Sequence, residues 1–133
     1  MTAQIPEKLI NNKGGVEFGA YKLFSIFIGE PSGYKNRKAY PFKQKGKPQE
    51  RAFCTACWRG YVSVYELKAS GELYLVKFEY PFSSRKPDAA NEVLEGDFWI
   101  ELRAEFFGDT MFVPFRNGKI VNDRSKWREV KRT

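Results

Sequence analysis

Trp58-Arg-Gly-Tyr-Val-Ser-Val-Tyr-Glu-Leu67, then Lys68-Ala-Ser-Gly-Glu72, then Leu73-Tyr-Leu-Val-Lys-Phe-Glu-Tyr80: this stretch decides the fold. The first run alternates with period two. Trp58, Gly60, Val62 and Val64 fall on one face, and Tyr61, Ser63, Tyr65 and Leu67 on the other. Both faces carry bulk, which predicts a central strand. The middle segment is short, polar and holds a glycine, so the chain returns as a second strand and the pair forms a hairpin. In the returning strand Leu73 and Leu75 share a face with Lys77 and Glu79. The opposite set, Tyr74, Val76, Phe78 and Tyr80, is therefore expected to be buried.

The same period extends outward in both directions. Leu9-Ile10 is a short apolar piece ended by the turn-forming Asn11-Asn12-Lys13-Gly14-Gly15. Val16, Phe18 and Ala20 alternate, Leu23 to Ile28 reads as a buried strand, and Pro31-Ser32-Gly33 ends it. Residues 33–51, rich in charge, glycine and proline, read as a long loop. Ser83 to Asn91 reads as a polar loop around Pro87. Phe98 to Phe107 alternates again, with Phe98, Ile100, Leu102, Ala104 and Phe106 on one side and Glu101, Arg103 and Glu105 on a polar side. Thr110 to Phe115 is a further strand, and Asn117-Gly118 is the signature of a two-residue hairpin turn. Ser125 to Arg132 reads as a short basic helix, with Ser125 as N-cap, or as a frayed strand. The expected architecture is mainly β, a single small antiparallel sheet curled into a barrel or sandwich, with little helix. The chain has 133 residues, which suits one domain, 1–133, with a basic loop at 35–51 and a basic C-terminal tail at 122–133.

Composition narrows the chemistry. The chain contains no histidine, which excludes Ser-His-Asp and Cys-His catalysis and any histidine-ligated metal. No apolar run approaches the ~18–20 residues of a membrane span, and the first residues lack the pattern of a signal peptide, so the expected location is the cytoplasm and no membrane partner is expected. The net charge of +7 is unevenly spread. Residues 35–51 carry Lys35, Arg37, Lys38, Lys43, Lys45, Lys47 and Arg51 against Glu50. Residues 81–109 hold three basic and seven acidic side chains, and residues 110–133 seven basic and two acidic. Two positive blocks flanking a negative one attract an acidic protein surface or nucleic acid. Tyr34, Tyr40 and Phe42 lie within or beside the first block, a pattern suited to stacking on single strands. The competing reading is a solvated loop and a solvated tail.

Other motifs carry less. Cys54-Thr-Ala-Cys57 holds the only two cysteines; a structural zinc needs four ligands, so a symmetric dimer would have to complete one. A redox pair is normally placed at a helix N-terminus, whereas this one precedes a strand. Trp58, Arg59, Gly60 and Tyr61 form an aromatic-cation cluster able to hold a flat or anionic ligand, or simply to fill the core. Glu101 and Glu105 stand ~13 Å apart on one strand face, wider than a glycosidase pair, and read as an exposed acidic face.

The Cys-Trp-Arg-Gly-Tyr-Val-x-x-Tyr-Glu-Leu run at 57–67, with Gly71-Glu-Leu-Tyr-Leu-Val76 and Ile5-Pro-Glu-Lys-Leu-Ile10, resembles a group of small bacterial proteins of unknown function. Those carry a Trp-Arg-Gly-Tyr strand followed by a Leu-Tyr-Leu strand. Tyr65 stands where tryptophan is common in the group, and the 35–51 block and the region after Phe107 lie outside the match. The resemblance implies a shared β-rich core and a bacterial or mobile-element origin, and it transfers no site.

These readings converge on a non-enzymatic binding protein, of the inhibitor or accessory-factor kind, that docks on an acidic partner. The expected contacts are Lys35, Arg37, Lys38, Tyr40, Phe42, Lys43, Lys45, Lys47 and Arg51, with no cofactor. The alternative is a thiol-based redox or metal-linked protein using Cys54 and Cys57.

Overall fold

The computed structural model describes residues 6–43, 61–81, 84, 86–104 and 108–131. The protein is mainly β. Its strands are β1 (Lys8–Ile10), β2 (Lys22–Gly29), β3 (Arg37–Ala39), β4 (Val62–Leu67), β5 (Leu73–Glu79), β6 (Asp88–Val93), β7 (Phe98–Arg103), β8 (Thr110–Arg116), β9 (Lys119–Ile120) and β10 (Arg128–Val130). Short 3₁₀ turns occupy Tyr34–Asn36 and Arg124–Lys126. The strands form two sheets where one curled sheet was expected. The smaller has the order β1-β4-β5-β6, and the larger β10-β8-β7-β2-β3, with β9 also paired to β8. Pairing is antiparallel except at β1, which runs parallel to β4 with Leu9 opposite Tyr65.

β4 is central, as the bulk on both its faces requires, and the β4–β5 hairpin closes through Lys68–Glu72. The expected burial of β5 holds for only half of the strand. A bulge at Val76 breaks the period: Tyr65 pairs with Leu75 and Val64 with Lys77. The face therefore switches along β5, and the core receives Leu73 and Leu75 from one half and Phe78 and Tyr80 from the other. Two other segments differ from their sequence reading. Arg37–Ala39 is a strand on β2 rather than loop. Asp88–Val93 is an edge strand on β5. Over Ser125 to Arg132 the strand alternative holds at β10, preceded by a 3₁₀ turn that Asp123, not Ser125, caps by accepting the Ser125 N–H.

The main core lies between the sheets. Leu67, Leu73 and Leu75 of the smaller sheet, with Leu94 just after β6, meet Phe98, Ile100 and Leu102 of β7 and Val113 and Phe115 of β8. Each such side chain contributes on the order of 1.5–3 kcal/mol by leaving water. Phe98 stacks on Phe115 with centroids 4.6 Å apart, and Tyr40 meets Phe98 edge-on at 5.4 Å. Backbone bonds join the sheets at two corners, from the Glu7 N–H to the Leu23 carbonyl (2.8 Å) and from the Ile120 N–H to the Gly71 carbonyl (2.8 Å). Asn117 and Gly118 both adopt positive φ, as their hairpin turn demands.

On its outer side the smaller sheet is roofed by an ion-pair ladder. Lys8 Nζ lies 2.8 Å from Glu79 and Lys77 Nζ 3.3 Å from the same carboxylate, above the strand holding buried Val62 and Val64. The Lys8 hydrogen bond holds the Glu79 carboxyl below its ordinary range. The stability it adds is therefore present above pH ~4.5 and is lost as the pH falls through the lowered folded value. We expect Glu79→Gln to cost about 0.5 kcal/mol in urea unfolding near neutral pH, the scale of a solvent-screened pair, and the cost to shrink as the pH falls through the lowered folded value.

Candidate functional site

Alternation along the strands of the larger sheet places a second set of side chains on its outer side. Phe27 of β2, Trp99 of β7 and Phe112 of β8 are buried there as a cluster separate from the main core. Register explains the grouping: Trp99 lies opposite Phe27 on one side and Pro114 on the other, and Glu101 lies opposite Phe112. Phe27 and Phe112 meet edge-on at 5.9 Å.

Arginines lie over these rings. The Arg37 guanidinium carbon is 4.9 Å from the Phe27 centroid and 4.8 Å from that of Phe112. Arg116 and Arg128 both approach Trp99, at 5.3 and 5.2 Å, and Arg103 lies 5.1 Å from Phe24. A guanidinium on an aromatic face gains about 0.5–1 kcal/mol when exposed and ~2 when desolvated, and its stem shields the ring while its N–H edge keeps donors for carboxylates or phosphates.

The backbone aims Arg37. Gly29 ends β2 at φ 103°, and a Cβ there would sit 2.0 Å from the Asn36 carbonyl oxygen. This close approach lets the 30–36 turn fold back, and the Arg37 Nη2 donates to the carbonyl of buried Pro31 at 2.8 Å. Arg128 comes from the opposite edge of the sheet and pairs with Glu30 of the same turn at 3.5 Å. Members of both basic blocks thus converge on one face although their strands lie at its two edges.

Glu101, expected on an exposed acidic face, is buried in this layer. One carboxylate oxygen accepts the Ser25 hydroxyl at 2.6 Å, and the other accepts Arg103 Nε and Nη2 at 3.0 and 2.8 Å. These donors hold the Glu101 side chain in place as a structural anchor.

The remaining expected contacts divide. Lys35 is exposed in the 3₁₀ turn, and Lys38 is exposed on β3, where its pairing with Ile28 sets it on the face opposite Arg37. Tyr40 is a core residue: its ring packs on Phe42 and Phe98, and its hydroxyl accepts the Glu95 N–H at 2.8 Å. Burial is the main cause that raises its phenol pKa. Phe42 is half-buried against the same core, so neither ring is laid out as a stacking platform. Lys43 hydrogen-bonds Glu95 at 2.7 Å, which raises the ammonium pKa and lowers that of the carboxyl. Lys45, Lys47, Arg51, Cys54, Cys57 and Trp58 to Gly60 lie outside the described residues, as does the side chain of Tyr34. Trp99, Arg103, Arg116 and Arg128 were not among the expected contacts; their signal was the recurrence of aromatic and arginine residues at alternate strand positions.

A separate groove of about 610 Å³ runs beside β1 and the 15–23 segment, lined by Glu7, Leu9, Asn12, Val16, Phe18 and Tyr21 among others. A smaller hollow of about 310 Å³ borders Phe18 and Trp127, whose rings stack at 5.9 Å. Among the described residues no three histidine, cysteine, aspartate or glutamate side chains group as a metal site, and no helix is long and apolar enough to cross a membrane.

No family model matches this chain, and no curated protein and no solved structure matches it.

Glu101→Ala removes the buried carboxylate that Ser25 and Arg103 share, and we expect it to cost about 2 kcal/mol in chemical denaturation. Arg37→Ala removes a carbonyl hydrogen bond and two ring contacts, for an expected loss of about 1–2 kcal/mol by the same measurement.

Proposed function

We propose that this protein is a small non-enzymatic binding module that docks on an acidic partner through the outer face of its larger sheet. One observation carries this reading: arginines from two positive segments far apart in sequence meet over a single aromatic layer, Phe27, Trp99 and Phe112. Folding that brings like charges together costs electrostatic energy, and a surface that retains this cost is suited to an opposite charge. The two sheets serve as the layers of a sandwich-like scaffold, and the roofed face of the larger one is the working side. Lys35 adds positive charge in the turn before β3, and Lys38, Lys45, Lys47 and Arg51 follow in the same basic block.

The thiol reading rests on Cys54 and Cys57 alone, and no observation on the described residues favours it. A catalytic role for Glu101 is opposed by its engagement with Ser25 and Arg103.

Heparin affinity tests the docking reading. Arg116→Glu with Arg128→Glu is expected to lower the salt needed for elution well beyond Lys13→Glu with Lys86→Glu, which makes the same charge change at other exposed positions. Equal losses from the two pairs would reduce the surface to diffuse net charge and remove the proposal.

A further inference from the structure

Building on that docking surface, we infer that its partner is an acidic polypeptide, held by a two-arginine fork on Trp99, rather than a nucleic acid. Arg116 and Arg128 are exposed and approach the same indole. Each has a local partner that sets its direction. Arg116 Nη1 donates to the Phe115 carbonyl at 3.0 Å, and Arg128 Nη1 faces Glu30 at 3.5 Å. A guanidinium carries five N–H donors, so these contacts leave donors directed outward, in the planar arrangement that takes a carboxylate through two hydrogen bonds.

Two further observations select protein over nucleic acid. The first concerns the rings. Single-stranded nucleic acid binds by stacking bases on exposed aromatics, at about 1–3 kcal/mol per base. Trp99, Phe27 and Phe112 are only 4–5% exposed, and arginines already occupy positions over them. The second concerns the signs of the neighbouring charges. Glu30 stands by Arg128, and Asp97, whose Oδ1 accepts the Asn117 N–H at 3.0 Å, stands by Arg116 at the end of the β7–β8 pair. A phosphate chain crossing the fork would carry negative charge past both carboxylates. A protein can place its own carboxylates on the arginines and its lysines or arginines against Glu30 and Asp97, which is the complementarity that gives protein interfaces their register.

The test compares binding of a capped peptide of about twenty residues, rich in glutamate with lysines interspersed, with binding of oligothymidylate of about the same length, by fluorescence anisotropy in about 150 mM salt. We expect the peptide to bind about ten-fold more tightly than the oligonucleotide. Arg116→Glu with Arg128→Glu should weaken the peptide by about ten-fold or more, against less than about three-fold for Lys13→Glu with Lys86→Glu. If the charge reversal lowers the melting temperature, Arg116→Gln with Arg128→Gln replaces it. Oligothymidylate binding as tightly as the peptide, and through the same two arginines, would overturn the choice of partner and leave the docking surface standing. Peptide binding indifferent to both arginine variants would overturn the fork. Failure of both probes even at about 50 mM salt would remove the docking reading itself.

Discussion

A strand buried on both faces governs this structure. β7 presents Phe98, Ile100 and Leu102 to the main core and Trp99 with Glu101 to the other side, and all five are nearly inaccessible. A sheet with one face on the core normally turns its other face to water and fills it with polar residues. Here the outward positions are aromatic, so that side needs a cover, and exposed rings would otherwise favour association with other chains. Arginines from β3, β8 and β10 lie over the rings, giving apolar stem to the aromatic layer and charge to the solvent.

The two sheets handle their outer faces differently. Over the smaller sheet, Lys8 and Lys77 meet Glu79, and Lys68 meets Glu66, so charge is largely neutralised within the roof. Over the larger sheet arginines lie on rings, and two of them, Arg103 and Arg128, also pair with carboxylates. Attraction to a ring quadrupole holds an arginine in place without cancelling its charge. Charge held in a fixed position at the surface is what a docking surface needs, and the ring contacts link the aromatic content of the chain to its proposed role. Glu101 has a separate part in this layer: it anchors Arg103 and Ser25 from within.

Much of the β architecture was legible from periodicity. The central position of β4, the β4–β5 hairpin, the inner face of β7 and the Asn117-Gly118 turn all follow from local pattern. The bulge at Val76 was not legible, because one inserted residue shifts every later side chain to the opposite face without altering composition. β3 and β6 were missed for a related reason: each is an edge strand of mostly polar residues whose pairing comes from β2 or β5, not from its own propensity. Glu101 was assigned to solvent because an alternating charge normally points outward; its burial depends on Ser25 and Arg103. Within the candidate site, Arg37 could be read from charge density. Arg116 and Arg128 counted only as part of a basic block, since the indole that gathers them belongs to β7. The core packing of Tyr40 is not legible locally, because its ring sits in a basic stretch and its hydroxyl accepts the Glu95 N–H, fifty-five residues away.

The central claim is that arginines cover a buried aromatic layer on the outer side of the larger sheet. Nuclear magnetic resonance of the arginine δ-methylene protons tests it most directly. If Arg37, Arg116 and Arg128 lie on rings, their signals move upfield through ring currents and show cross-relaxation to Phe27, Phe112 and Trp99. Signals at ordinary solvent-exposed positions, with no cross-relaxation to those rings, would contradict the account.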